Sequence, residues 1–305
     1  MPVCEAAPLN HPQEHAGSYY AATRRITSDY PQLDGDHRCD VAVVGGGFTG
    51  VSAALHLAER GYRVALLEAN RVGWGASGRN GGQLIDGFVR PDRVRRRLGD
   101  QAAEMARAMA LESRDIVVDR IARYQIDCDL KFGFLDVAER EAELRALEAD
   151  CEDRLAHGYP HELRMVTADG MRELIDSGHY VGGLVNMGNG HLHPLNLCAG
   201  EARAAAGLGA AIFEQTPVLR VRHGAPSEVE TATGTVVADK VVFAGNAYLG
   251  RTEPKLRGYV IPAGSYMLAT EPLGAARAAA LLPPDFAYCE QAIGLIYFRL
   301  AADTR

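Results

Sequence analysis

Residues 45–50 read Gly-Gly-Gly-Phe-Thr-Gly, a G-x-G-x-x-G string. It follows an apolar, β-branched run, CDVAVVG (39–45), and opens a stretch with apolar residues at helical spacing: Val51, Ala54, Leu55, Leu57 and Ala58. This context restricts the fold more than any other feature of the chain. It specifies a buried parallel strand, a tight turn and a helix whose N-terminus faces that turn. Gly45 permits the turn, Gly47 omits a Cβ that would block a pyrophosphate, and Gly50 lets helix and strand pack closely. The first helical N–H groups are then available to phosphates. Gly61 ends the helix as a C′ glycine does. A second strand, YRVALLE (62–68), closes a βαβ unit. Glu68 ends that strand, where a carboxylate accepts hydrogen bonds from ribose hydroxyls. Its charge also disfavours a 2′-phosphate, which argues against an NADP-type cofactor.

The chain has 305 residues, 47% of them apolar and 23% charged, which is globular composition with room for two domains. No apolar run approaches the ~18–20 residues of a membrane span. The start, MPVCEAAPLNHPQEH, lacks the basic and apolar regions of a secretory signal. A net charge of -7 argues against nucleic-acid binding, so the cluster Arg90, Arg93, Arg95, Arg96 and Arg97 reads as a solvated face. The six cysteines are scattered with no C-x-x-C, as expected for reduced thiols in a cytoplasmic protein. His191 and His193 form an H-x-H pair near Cys198. A metal needs three or four convergent ligands, so no metal site is expected. Ser77 lies outside any G-x-S-x-G elbow, which excludes hydrolase chemistry of that kind.

Residues 1–38, punctuated by Pro2, Pro8, Pro12 and Pro31, read as an extended arm in which Ser18–Thr23 (SYYAAT) is the one dense cluster. Beyond the βαβ unit come a glycine-dense loop (73–82, GWGASGRNGG), a long helix over 91–125, a strand over 130–138 and a charged helix over 139–157. A strand over 180–186 precedes a helix opened by Pro194. From 211 the pattern is of short strands, among them GYVIPAGSYMLATEPL and a last strand over 294–300.

The stretch Cys39–Gln83 resembles the D-amino-acid-oxidase-like family of flavoproteins. The GASGRNGG loop and the upstream SYYAAT point to its amine-oxidising members. GHLHPLNLCAGEARAAAGLGAAIFEQTPV (190–218) is similar to the family's second signature, and KVVFAGNAYLG (240–250) to its return into the dinucleotide domain. The resemblance implies FAD and an α/β fold. A Rossmann-like FAD-binding domain would comprise 39–90 and 187–250, and a discontinuous substrate domain on a mixed β-sheet 91–186 and 251–305. It implies that Phe48 and Thr49 lie in the pyrophosphate turn, with Ala76 and Ser77 beside it. Glu68 and Ala69 would meet the adenosine ribose, Asn80, Gly81 and Gly82 the isoalloxazine, and the Val218 backbone the adenine. Trp74 lies in the same loop, either walling the flavin or packing beneath it. Members of the family are longer and return to the flavin through a further glycine-rich segment, so the chain reads as an incomplete product.

The activity implied is FAD-dependent oxidation of a primary or secondary amine of the gamma-glutamylputrescine type, to an imine and then an aldehyde, with electrons passed to oxygen. The alternatives are an oxidase of glycine, sarcosine or a D-amino acid, and a flavin-binding fragment without activity. The flavin carries the chemistry, so no catalytic triad is expected. Amino-acid-oxidising relatives tend to hold the substrate carboxylate with an arginine four residues after a tyrosine. Here Tyr297 is followed at that spacing by Ala301, and Arg299 shares the face of Ala301 by strand alternation. Tyr259, Tyr266, Tyr297 and Arg299 are therefore the substrate candidates.

Overall fold

The computed structural model describes residues 12–86, 91–250, 252–291 and 296–305. In chain order its strands are β1 (His37–Val44), β2 (Val64–Leu67), β3 (Gln83–Leu84), β4 (Lys131–Ala138), β5 (Leu163–Thr167), β6 (Gly182–His191), β7 (Ala211–Phe213), β8 (Arg220–Arg222), β9 (Ser227–Glu230), β10 (Thr235–Phe243), β11 (Ala287–Glu290) and β12 (Tyr297–Arg299). The fold is α/β, in two compact units. The first holds the described residues up to Asn80, Arg123–Asp127 and Pro194–Tyr266. The second holds those of Gly81–Ala122, Cys128–His193 and Met267–Arg305.

The first unit is built on a six-stranded sheet of order β7-β2-β1-β10-β9-β8. β7, β2, β1 and β10 run parallel, and β9 and β8 add an antiparallel edge. Alternation along β1 sends Val41 and Val43 to one face and Ala42 and Val44 to the other. The first face packs on Val51, Ala54 and Leu55 of helix Phe48–Glu59 and on Cys198, Ala202 and Ala205 of helix Pro194–Gly207. The second face meets Leu33, Leu67, Val229 and Val236. A strand buried on both faces reads as a continuous apolar run, which is why CDVAVVG has no polar interruption after Asp40.

The second unit carries a mixed sheet of order β12-β11-β4-β6-β3, with β5 also paired to β6. β11 and β4 are parallel, and the other pairs are antiparallel. One face packs Leu135, Val137, Val185 and Tyr288 against Met171, Ile175 and Ala278. The other sets Ala138 and Leu184 on Leu147 and Cys151 of helix Glu141–Ala156.

Several expectations are corrected. The helix over 91–125 is two helices, Pro91–Leu98 and Asp100–Arg123, separated by Gly99 at φ +86°. The arm contains a helical turn, Tyr19–Thr23, where Ser18 Oγ accepts the Ala21 N–H. The units meet in sequence at Asn80/Gly81 and His193/Pro194 rather than at 90 and 186, because β6 continues to His191 within the second sheet. GYVIPAGSYMLATEPL forms no strand over 260–273. Residues 1–11, Arg90 and 292–295, which include part of the arm, of the basic cluster and of the last strand, lie outside the described residues. Among the described residues, no helix is long and apolar enough to cross a membrane, and no group of His, Cys, Asp and Glu is placed to hold a metal.

Candidate cofactor site

In the first unit the turn after β1 is shaped by close approach. Gly45 takes φ +109°, and a Cβ there would stand 2.7 Å from the Ala244 carbonyl oxygen. A Cβ on Gly50 would lie 1.8 Å from the carbonyl oxygen of Gly45, so the helix rests directly on the turn. Gly47 is the N-cap of that helix and supplies no side-chain cap. Ser77 Oγ accepts the Phe48 N–H at 2.9 Å from the neighbouring loop. A Cβ on Gly47 would stand 2.8 Å from that oxygen. Thr49 and Ala76 are exposed, whereas Phe48 is half-buried and packs on the apolar core.

Glu68 lies just beyond β2 with both carboxylate oxygens engaged by backbone. Oε2 accepts the Gly46 N–H at 2.6 Å and Oε1 the Asn70 N–H at 2.9 Å. Burial raises its pKa against these donors, and the charge of Glu214 adds to the rise. The Thr216 N–H donates to the Glu68 carbonyl at 2.8 Å. That bond sets the segment leading to Val218 beside the end of β2. Val218 is half-buried, and its carbonyl accepts Thr252 Oγ1 at 3.1 Å. Asn80 Nδ2 donates to the carbonyls of Ala76 and Ser77, closing the glycine loop on itself. Trp74 is held by its Nε1–H on the Glu14 carbonyl, with the Arg79 guanidinium 4.4 Å above the ring and Tyr248 edge-on.

Beneath the loop lies a network that sequence reasoning did not find. Glu214 is fully buried. It accepts Ser28 Oγ at 2.5 Å and the Val72 N–H at 2.7 Å on one oxygen, and Arg71 at 2.9 Å and the Tyr30 N–H at 3.3 Å on the other. Arg71 also reaches Glu14 at 2.7 Å. The arm and the segment leading into the glycine loop thus share one carboxylate. A glutamate in the run FEQTP carries no local mark of this role.

In the second unit Gly81 lies against Tyr297: a Cβ on Gly81 would stand 2.5 Å from ring atom Cε2. Arg299 donates to backbone carbonyls, Nε to Gly81 at 2.8 Å and Nη2 to Leu192 at 3.0 Å. That closes the side of the guanidinium that pairs with a carboxylate, contrary to the expected substrate contact. Tyr259 and Tyr266, in the first unit, are 86% and 93% exposed rather than lining a pocket, because their segment joins no sheet among the described residues. His191 and His193 are buried. His193 donates its N–H to the Cys128 carbonyl.

Asp136, on β4, accepts Gln291 Nε2 at 2.8 Å. Burial pushes it up to about 7, against that hydrogen bond and the charge of Arg154. An acid raised in the folded state adds stability that is complete below its unfolded pKa and is lost as pH rises toward 7. Asp136→Asn is therefore expected to stabilise the protein by about 1–3 kcal/mol at pH 8 and by almost nothing at pH 4. Urea unfolding at the two pH values measures this, and equal differences at both would contradict it.

The first unit offers a three-glycine turn at a helix N-terminus, packed too closely to admit a Cβ at Gly45 or Gly50, and a carboxylate beside it. These residues fit the diphosphate and ribose of a dinucleotide. Residues 40–305 match the family model described as FAD dependent oxidoreductase. The chain belongs to that family of flavoproteins, whose cofactor is FAD. It is 42% identical over 96% of its length to gamma-glutamylputrescine oxidoreductase of Escherichia coli and spans 69% of that protein. It is 40% identical over 96% of its length to the probable oxidoreductase OrdL of Haemophilus influenzae, again spanning 69%. Among solved structures it is similar to glycine oxidase from Geobacillus kaustophilus, with a TM-score of 0.59 and 29% identity. That match covers 70% of this chain and 57% of the oxidase.

Proposed function

We propose that the chain oxidises an amine of the gamma-glutamylputrescine type. The observation that carries this reading is the 42% identity, over 96% of the chain, to a relative bearing that name. The overall change is R–CH2–NH2 + O2 + H2O to R–CHO + NH3 + H2O2, through an imine that water hydrolyses.

Bound FAD supplies the two-electron acceptor for the C–H bond beside nitrogen. The chain's own residues bind and orient. Gly45, Gly47 and Gly50, with Phe48 and Thr49, hold the pyrophosphate on the helix N-terminus. Ala76 and Ser77 border it, and Glu68 and Ala69 meet the ribose. The Val218 backbone pairs with adenine, and Asn80, Gly81 and Gly82 approach the flavin ring. Tyr297 is retained as a substrate contact. Oxidation of an α-amino acid would require a cation for the α-carboxylate, and the hydrogen bonds of Arg299 weigh against that alternative. Five free cysteines among the described residues support a reducing compartment such as the cytoplasm.

Gly47→Val brings a branched side chain onto Ser77 Oγ and the space assigned to the pyrophosphate, and is expected to abolish FAD binding. Titration of the protein with FAD, followed by visible absorbance, measures it; unchanged affinity would refute the site. Peroxide release from gamma-glutamylputrescine, putrescine, glycine, sarcosine and D-alanine tests the substrate. Faster turnover of any of the last three than of both diamine-derived compounds would overturn the proposal.

A further inference from the structure

We propose that Arg299 is a positioning residue for the Gly81–Gly82 turn, acting together with a neutral His191. Its link to the flavin rests on the function proposed above; its contacts do not.

The guanidinium binds three separate pieces of backbone. Nε donates to Gly81 O at 2.8 Å, Nη2 to Leu192 O at 3.0 Å and Nη1 to Leu300 O at 3.0 Å. The Leu192 N–H in turn donates to Gly82 O at 2.7 Å. Gly81 and Gly82 are thus tied to the end of β6 both directly and through one side chain. A rigid, planar fork presents spread donors in fixed directions to acceptors on two chain segments, whereas a lysine ammonium gathers its three donors at one point. Tyr297, two residues earlier on β12, lays its ring on the Cα of Gly81, so the same strand fixes the turn by contact and by hydrogen bonds.

His191 completes the arrangement. Its Nε2 faces the Asp285 carbonyl at 2.9 Å, and its Nδ1 faces Arg299 Nη1 at 3.4 Å. A carbonyl only accepts, so Nε2 carries the hydrogen and Nδ1 keeps a lone pair toward the guanidinium. Three charged groups bear on the ring. Arg299 and Lys131 oppose its protonation, and Asp285 favours it. Burial is the largest influence and also keeps it neutral. Protonation would turn Nδ1 from an acceptor into a donor facing another donor.

Arg299→Gln and Arg299→Lys separate charge from fork geometry. The readouts are hydrogen exchange over 81–84 and 190–193 and histidine-selective NMR titration, with the His191 signal assigned through His191→Gln. Exchange in those two segments is expected to quicken by about tenfold or more in both variants, with the rest of the second unit unchanged. The His191 midpoint is expected to move up in Arg299→Gln, which loses the cation, and to stay near wild type in Arg299→Lys. Unchanged exchange, exchange raised equally throughout the unit, or an unmoved midpoint in Arg299→Gln would overturn the proposal. With FAD added, the visible band of Arg299→Gln is expected to differ from that of wild type, and identical bands would also overturn it. A wild-type protein that retains no FAD would defeat the proposed function, yet exchange and titration would still decide the role of Arg299.

Discussion

Glu214→Ala is expected to destabilise the first unit by about 3–5 kcal/mol, the usual cost of removing one partner from a buried ion pair. The carboxylate has no exposed surface and accepts from Ser28, Tyr30, Arg71 and Val72. Deleting it leaves two backbone N–H groups, a hydroxyl and part of a guanidinium without their acceptor. Thermal unfolding should begin roughly 10 °C lower, and limited proteolysis should cut within residues 12–30 before any other site. Glu214→Gln keeps the shape and an acceptor, and its loss should be about half as large. A change below about 1 kcal/mol for the alanine variant would mean that the network does not hold the arm.

Gly50→Ala is the smallest substitution with a comparably large expected effect. The added carbon would stand 1.8 Å from the Gly45 carbonyl oxygen and 3.0 Å from its carbon. Both are backbone atoms of the turn, so no side chain can move aside and the helix must lift from β1. A loss of about 4 kcal/mol or more is expected. Gly207→Ala, at the end of helix Pro194–Gly207 with nothing within 4 Å, serves as control. It should be neutral or stabilising by up to about 1 kcal/mol. Denaturant unfolding followed by circular dichroism compares the two, and equal stability would mean that the helix is not seated on the turn.

These two positions also mark what the sequence makes legible. The turn at Gly45, the helix from Phe48 and the end of β2 at Glu68 are local. Apolar runs and glycine spacing express them within one short segment, so they could be read directly. Glu214 and Arg299 could not be read in this way. Their partners lie far away in sequence, at Ser28 and Arg71 for one and at Gly81 and Leu192 for the other. Alternation places Arg299 on a face of β12 without saying which carbonyls meet it. β6 illustrates a different failure. GGLVNMGNGH lacks period-two alternation because glycines and asparagines occupy positions buried in the sheet, so its continuation to His191, and with it the unit boundary, was hidden. GYVIPAGSYMLATEPL fails in the opposite sense. Its composition suits a strand, but a strand also needs a neighbour, and none of the described strands pairs with it. At Gly99 the break was visible in LGDQ, and helical periodicity on both sides masked it.

The pairing of β1 with β10 also imposes an order in time. His37 lies opposite Val236, so the two central strands of the first sheet are separated by about 200 residues of chain. At the roughly 5–20 residues per second of translation, β1 emerges some 10–40 s before β10 exists. Everything between, including all of β4 to β6, is synthesised in that interval. The second sheet can therefore begin to assemble while β1, already flanked by β2, still has one open edge along its apolar run Val41–Val44. The βαβ start that is easiest to read in the sequence thus contains the strand that, among the described strands, waits longest for a neighbour. In a living cell it is the segment with the longest need for protection from other chains.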